Sequence, residues 1–123
     1  SLSFDLRSRS RIKARLSDGR DVGIVLPRGT VVRGGEWLAG PGLTVQVLAA
    51  QEDLIDVRSN TPLKLLRAAY HLGNRHIPVQ VSEDFLRLGW DSVLADMLIG
   101  LGLNIERLSA SFEPEAGAYA HGV

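Results

Sequence analysis

The feature that most constrains this chain is a change of period near residue 50. Before it, apolar residues alternate with polar ones or come in short runs cut by glycine and proline. After it, they recur at i, i+3 and i+4. One such change predicts an α+β chain of two modules, the first all-β and the second mixed. In a chain of 123 residues each module has only about 60, a size that buries little surface on its own. The halves are therefore expected to share an interface, or the chain to oligomerise.

The first module is expected over residues 1–52. In Arg11-Ile12-Lys13-Ala14-Arg15-Leu16 the apolar residues alternate with cations, so one face of a strand is buried and the other is basic and wet. Asp18-Gly19 predicts a tight hairpin turn, and Asp21 to Leu26 the return strand, stopped by Pro27. Val31-Val32, Trp37-Leu38 and Leu43 to Leu48 read as further short strands between Gly34-Gly35 and Gly40-Pro41-Gly42. Nothing from Ser1 to Ala50 shows helical periodicity, which predicts about six strands and no helix.

The second module is expected over residues 53–110. Leu54 to Arg58 reads as a strand. Asn60 or Thr61 then caps a helix with Pro62 in its first turn, and Leu63, Leu66, Ala69 and Tyr70 form its buried stripe. Gly73-Asn74 is expected to end that helix in left-handed geometry. Ile77 to Val81 and Phe85 to Leu88 read as strands. A second helix starts at Asp91 or Ser92, with Val93, Leu94, Met97, Leu98 and Leu101 as its apolar face, and ends at Gly102. Leu103 to Leu108 is the fourth strand. The order βαββαβ is the ferredoxin-like arrangement. Residues 111–123 show no period and read as a flexible tail.

Composition narrows the chemistry. The chain has no cysteine, which excludes disulfides, iron–sulfur clusters and thiolate zinc sites. Histidine and carboxylate are its only good ligands for a transition metal. No stretch approaches the roughly 20 apolar residues that span a bilayer. Ser1-Leu2-Ser3 opens no signal-peptide pattern, so the cytoplasm is the expected location. The net charge is zero but segregated. Residues 1–35 carry eight basic and three acidic groups, and the rest six basic and eleven acidic, a polarity of +5 against −5 that suggests two modules with different partners.

Two of the three histidines flank one break, in Tyr70-His71-Leu72-Gly73-Asn74-Arg75-His76. A histidine in the last helical turn is also explained by the helix dipole, worth about 0.3–1 kcal/mol, and His76 can be an edge residue. Two imidazoles make no firm site for Ni²⁺, Cu²⁺ or Zn²⁺, which take about four or more ligands. His121 is a third candidate, and a two-fold dimer would double every ligand. Gly73-Asn74-Arg75 is followed by no Lys-Ser/Thr and is not a P-loop. It is expected to fix the turn that aims His76, with Arg75 pairing with a carboxylate. The carboxylates Asp53, Asp56, Glu83, Asp84, Asp91, Asp96, Glu113 and Glu115 show no catalytic spacing, and no nucleophile sits beside a base and its orienter. No enzymatic role is expected. Nucleic-acid binding is not expected either, since the second module is acidic and lacks stacking aromatics. The basic strand face fits an acidic protein partner better.

Three ordered blocks carry a resemblance. Ala69-Tyr70-His71-Leu72-Gly73-Asn74-Arg75-His76-Ile77-Pro78-Val79-Gln80 closely resembles the signature of the UreE family of urease accessory proteins, nickel metallochaperones. Val93-Leu94-Ala95-Asp96-Met97-Leu98 and Phe112-Glu113-Pro114-Glu115-Ala116-Gly117-Ala118-Tyr119 look like two further blocks of that family. The resemblance implies an N-terminal module with a peptide-binding, chaperone-like look and a ferredoxin-like module for metal binding and dimerisation. It implies nickel, with zinc or copper as surrogates, held by His76 of both subunits at a homodimer interface. His71 matches a family histidine, and His121 stands where some members place a tail ligand. The implied partners are a GTPase of the urease maturation system and the apo-urease assembly. Two departures, no histidine in Leu88-Gly89-Trp90-Asp91-Ser92 and a single one in Tyr119-Ala120-His121-Gly122-Val123, favour few ions per dimer. The alternative function is a metal-independent interaction module that binds a peptide or partner protein through its β domain.

Overall fold

A computed structural model describes residues 1–116, which fall in two compact units, Ser1–Ala50 and a second beginning at Gln51. Together the units hold three helices and eight strands in antiparallel sheets, an α+β chain.

The first unit starts with one helical turn, α1 (Phe4–Arg7), capped by the Ser3 hydroxyl, which accepts from the Leu6 N–H at 3.4 Å. Four residues are too few to show a period, so alternation alone could not reveal it. β1 (Arg11–Arg15) and β2 (Asp21–Val25) form the expected hairpin, with Gly19 at φ +91° in its turn. β3 (Trp37–Gly40) and β4 (Leu43–Gln46) form a second hairpin. The module thus has four strands in two two-stranded sheets, fewer than the six expected. Val31-Val32 joins neither sheet. The Val32 N–H donates to the Arg7 carbonyl at 3.0 Å, and the buried Arg7 guanidinium returns a bond to the Val32 carbonyl at 3.2 Å. The end of α1 has taken the backbone groups that a ladder would need.

In the second unit β5 (Gln51–Arg58) lies between β7 (Leu86–Gly89) and β8 (Asn104–Ser111), with β6 (Gln80–Val81) outside β7. All pairs are antiparallel. α2 (Pro62–Asn74) and α3 (Ser92–Gly100) bury Ala68, Leu72, Leu94, Ala95 and Leu98 in one cluster with the strand residues Ile55, Val57, Leu86 and Leu88. The stripe of α2 differs from expectation. Leu63, Leu66 and Tyr70 are 52%, 68% and 66% exposed, and the core side is Leu65, Ala68, Ala69 and Leu72. Both sets run at helical spacing, and the small Ala68 lets its side sit close to the sheet. In α3, Val93 and Leu101 are likewise outside while Ala95 is buried. The Asp91 carboxylate caps α3, accepting from the Val93 and Leu94 N–H groups at 2.8 and 3.0 Å.

Two expected segments shrink or grow. The strand Ile77–Val81 is reduced to Gln80-Val81, because the Ile77 N–H is bonded to the Leu72 carbonyl and Pro78 has none. The flexible tail expected over 111–123 is not found at its start, and residues 117–123 lie outside the described residues. Ser111 is in β8, Phe112 and Pro114 are buried, and the Glu115 N–H donates to the Val79 carbonyl at 2.8 Å.

The sheet face away from the helices carries a buried ion pair. Arg87 forks onto Asp56, Nε to Oδ1 at 2.6 Å and Nη2 to Oδ2 at 2.9 Å, and reaches the Ser111 carbonyl at 3.3 Å. The bond to Asp56 holds the guanidinium pKa above its ordinary value. Removing the carboxylate would strand that charge, so Asp56→Ala should lower stability by about 3 kcal/mol, read from urea unfolding. Arg107 forks onto the exposed Asp53 at 2.7 and 3.0 Å. That hydrogen bond lowers the Asp53 pKa from the usual 3.8. A depressed carboxyl stabilises above its unfolded pKa and loses this as pH falls through the folded one. Melting curves of Asp53→Asn should therefore drop less than the parent's as the pH falls below about 4.

Candidate metal centre

His71 and His76 are set by the C-terminal end of α2. His71 occupies its last turn, exposed, with its ring edge-on to Tyr70 at a centroid distance of 5.4 Å. Gly73 and Asn74, expected to be left-handed, are helical. Arg75 follows at φ −90°, and the left-handed residue is His76 itself, at φ +57°. It is the single non-glycine residue with positive φ among the described residues.

The hydrogen bonds explain the placement. The His76 N–H donates to the Gly73 carbonyl at 3.0 Å, and the Ile77 N–H reaches back to the Leu72 carbonyl at 3.1 Å. This is a Schellman end, whose geometry puts its fifth residue, counted from Leu72, in left-handed backbone. Leu72 and Ile77, five apart, both join the apolar cluster and lock it. α3 ends the same way, with Gly102 donating to Ile99 at 2.9 Å and Leu103 to Leu98 at 3.1 Å. There the left-handed residue is Gly102, at φ +86°. One helix uses the residue that suits the geometry, and the other uses histidine. The sequence carries a signal for both ends, an apolar pair five residues apart, Leu72/Ile77 and Leu98/Leu103.

His76 is exposed at the rim of this turn. His71 and His76 share neither a hydrogen bond nor a ring contact. Among the described residues no three His, Asp or Glu side chains gather to hold an ion. His121 lies outside the described residues. Arg75, expected to pair with a carboxylate, forms no ion pair among them and serves as the helix cap, its N–H donating to the Leu72 carbonyl at 3.2 Å. Four of the candidate carboxylates have structural partners instead. Asp53, Asp56 and Asp84 face Arg107, Arg87 and Arg58, and Asp91 caps α3.

Two family models match, the N-terminal domain of the UreE urease accessory protein over residues 1–50 and its C-terminal domain over residues 52–123. The chain belongs to the UreE family. It is 57% identical over 122 residues to the urease accessory protein UreE of Ralstonia nicotianae, covering 98% of this chain and 58% of that protein. The proteins of the same name from Burkholderia ambifaria and Cupriavidus necator are each 53% identical over 122 residues, with 98% of this chain and 60% and 64% of theirs covered. The chain thus spans about three fifths of the length of these UreE relatives. No helix among the described residues is long and apolar enough to cross a membrane.

A left-handed L-residue costs about 1–2 kcal/mol. Glycine gives back about 0.4–1 kcal/mol through the entropy of the unfolded chain. His76→Gly should therefore stabilise the fold by roughly 0.5–1 kcal/mol, seen as a higher melting temperature. A lower one would mean that the imidazole supports the fold.

Proposed function

We propose that this chain is a nickel carrier for assembly of the urease metallocentre, its Ni²⁺ cargo held by His76 from two copies at a dimer interface. The observation that carries this reading is His76 itself, an exposed imidazole kept where the backbone would be better served by glycine. A side chain retained against backbone cost is retained for what it binds. Imidazole suits Ni²⁺, with Zn²⁺ and Cu²⁺ as surrogates. The names of the relatives point to urease as the destination. A site built from His76 alone is open and exchangeable, which fits handing an ion on.

One copy offers too few ligands, and α2 suggests how a second arrives. Leu63, Leu66 and Tyr70 form an exposed apolar stripe on the helix that ends at His76. Pairing two such stripes about a two-fold axis that runs along the helices, which sets them parallel, would cover them and bring the helix ends side by side. His71, one residue beyond Tyr70, and His121 are the candidates to complete the shell. We read the second unit as ferredoxin-like, on its βαββαβ order and its strand order β6-β7-β5-β8. The partners in this reading are a GTPase of the urease maturation system and the apo-urease assembly, in the cytoplasm.

Isothermal titration tests the proposal. The parent should bind roughly one Ni²⁺ per dimer tightly, and His76→Ala should lose that step. Unchanged affinity in the variant overturns the assignment. Because imidazole ligates only when neutral, affinity should fall as pH drops below about 6.5. A flat profile from about pH 7.5 to 5.5 argues against histidine ligation.

A further inference from the structure

The second unit is rich in carboxylates, yet the stretch that carries His76 has none. From Ser59 to Ser82 no aspartate or glutamate occurs, while Lys64, Arg67 and Arg75 do. All three cations are exposed, and none forms an ion pair among the described residues. Arg58, Arg87 and Arg107 of the same unit each have a carboxylate. Residues 117–123 include no acidic side chain that could serve the other three. The helix dipole accounts for little of this. It favours acids in a first turn, and α2 has none there but Lys64. At the C-terminal end it amounts to roughly half a negative charge, which offsets half of one guanidinium. The end of α2 stays positive.

That field opposes the cargo of the nickel reading, on which this inference rests. Arg75 is joined to His76 by one trans peptide, which sets their Cα atoms about 3.8 Å apart. Two copies about a two-fold axis double the arginine along with the imidazole. Neutral imidazole cancels none of the charge of Ni²⁺, and the nearest acid along the chain from His76 is Glu83. A dication and an uncompensated guanidinium repel each other. They are compatible at one site when an anion arrives with the ion.

We propose that Arg75 is an anion-binding residue of the His76 site, holding a small free carboxylate that ligates the ion as it binds. A guanidinium presents two parallel N–H donors that match the two oxygens of a carboxylate. A carboxylate has about four lone-pair positions, so it can accept that fork and still give a lone pair to Ni²⁺. Its charge offsets part of the dication and part of the arginine together. Nickel accepts oxygen as well as imidazole ligands, and His76 from two copies leaves positions for them. The fold leaves Arg75 available for this task. Its backbone N–H caps α2 on the Leu72 carbonyl, and its exposed side chain forms no hydrogen bond or ion pair among the described residues. Loss of the anion restores the repulsion, so the same residue that admits the ion with its anion favours release without it.

The test is calorimetric titration of the full chain with Ni²⁺ at about pH 7.5, where imidazole is neutral. It is run in acetate and in perchlorate of equal ionic strength. The parent should bind Ni²⁺ at least threefold more tightly in acetate, against the weak competition of acetate for the free ion. Arg75→Gln should lose that gain. In perchlorate it should bind at least as tightly as the parent, because a repelling charge is gone. Arg75→Lys, which keeps the charge and lacks the fork, should match the parent in perchlorate and keep less than half of the gain. An arginine that only supports the fold would lower affinity in both media alike. Equal affinity of the parent in the two media overturns the proposal, and is also the result if a second copy supplies the carboxylate. An acetate gain that Arg75→Gln retains overturns it as well. His76→Ala keeps the two readings apart. Loss of tight Ni²⁺ binding in that variant, with no acetate gain in the parent, sinks the anion role alone, whereas parent-like binding by His76→Ala sinks the nickel reading.

Discussion

The hydrogen bond from the Ile77 N–H to the Leu72 carbonyl is the constraint on which the candidate centre depends. It stops α2 and turns the chain toward β6. With the apolar contact between the same two residues, it leaves the intervening His76 no choice but left-handed backbone. The anchors are in the core and the imidazole is outside it. The backbone of His76 is thus set by residues anchored in the core, while its side chain is exposed. In the proposed reading of His76 as a metal ligand, an exposed side chain on a backbone anchored in this way suits a site that releases what it binds.

Alternation and turn chemistry made the β1–β2 hairpin readable to within a residue, because a strand with one wet face writes its period in charges. The order of elements in the second unit was readable for the same reason, since its caps and breaks are local. The buried side of α2 was not readable. The helix is apolar on two sides, and which side meets the sheet depends on the close fit that Ala68 allows, a property of packing and not of period. α1 and the Val31-Val32 segment were missed because each is settled by contacts with Arg7 and not by its own pattern. At the centre, the histidines and the turn were visible in the sequence. The left-handed residue was misplaced to Gly73-Asn74, because glycine is the default occupant of left-handed backbone.

The misreadings of α2 point the same way. A stripe expected to be core and found exposed is a surface with no partner in one copy of the chain. His76, expected at the edge of the next strand, takes left-handed backbone, and among the described residues no three His, Asp or Glu side chains gather to hold an ion. The stripe lies along α2, and His76 lies just past its end. A single two-fold contact would answer both, which is more economical than separate explanations for each.

The two units depart from local rules in opposite ways. In the second, a bulky residue stands where glycine would fit better. In the first, glycine stands where a bulky residue would fit better, at Gly23. Natural chains keep such departures where a local choice serves something other than the fold.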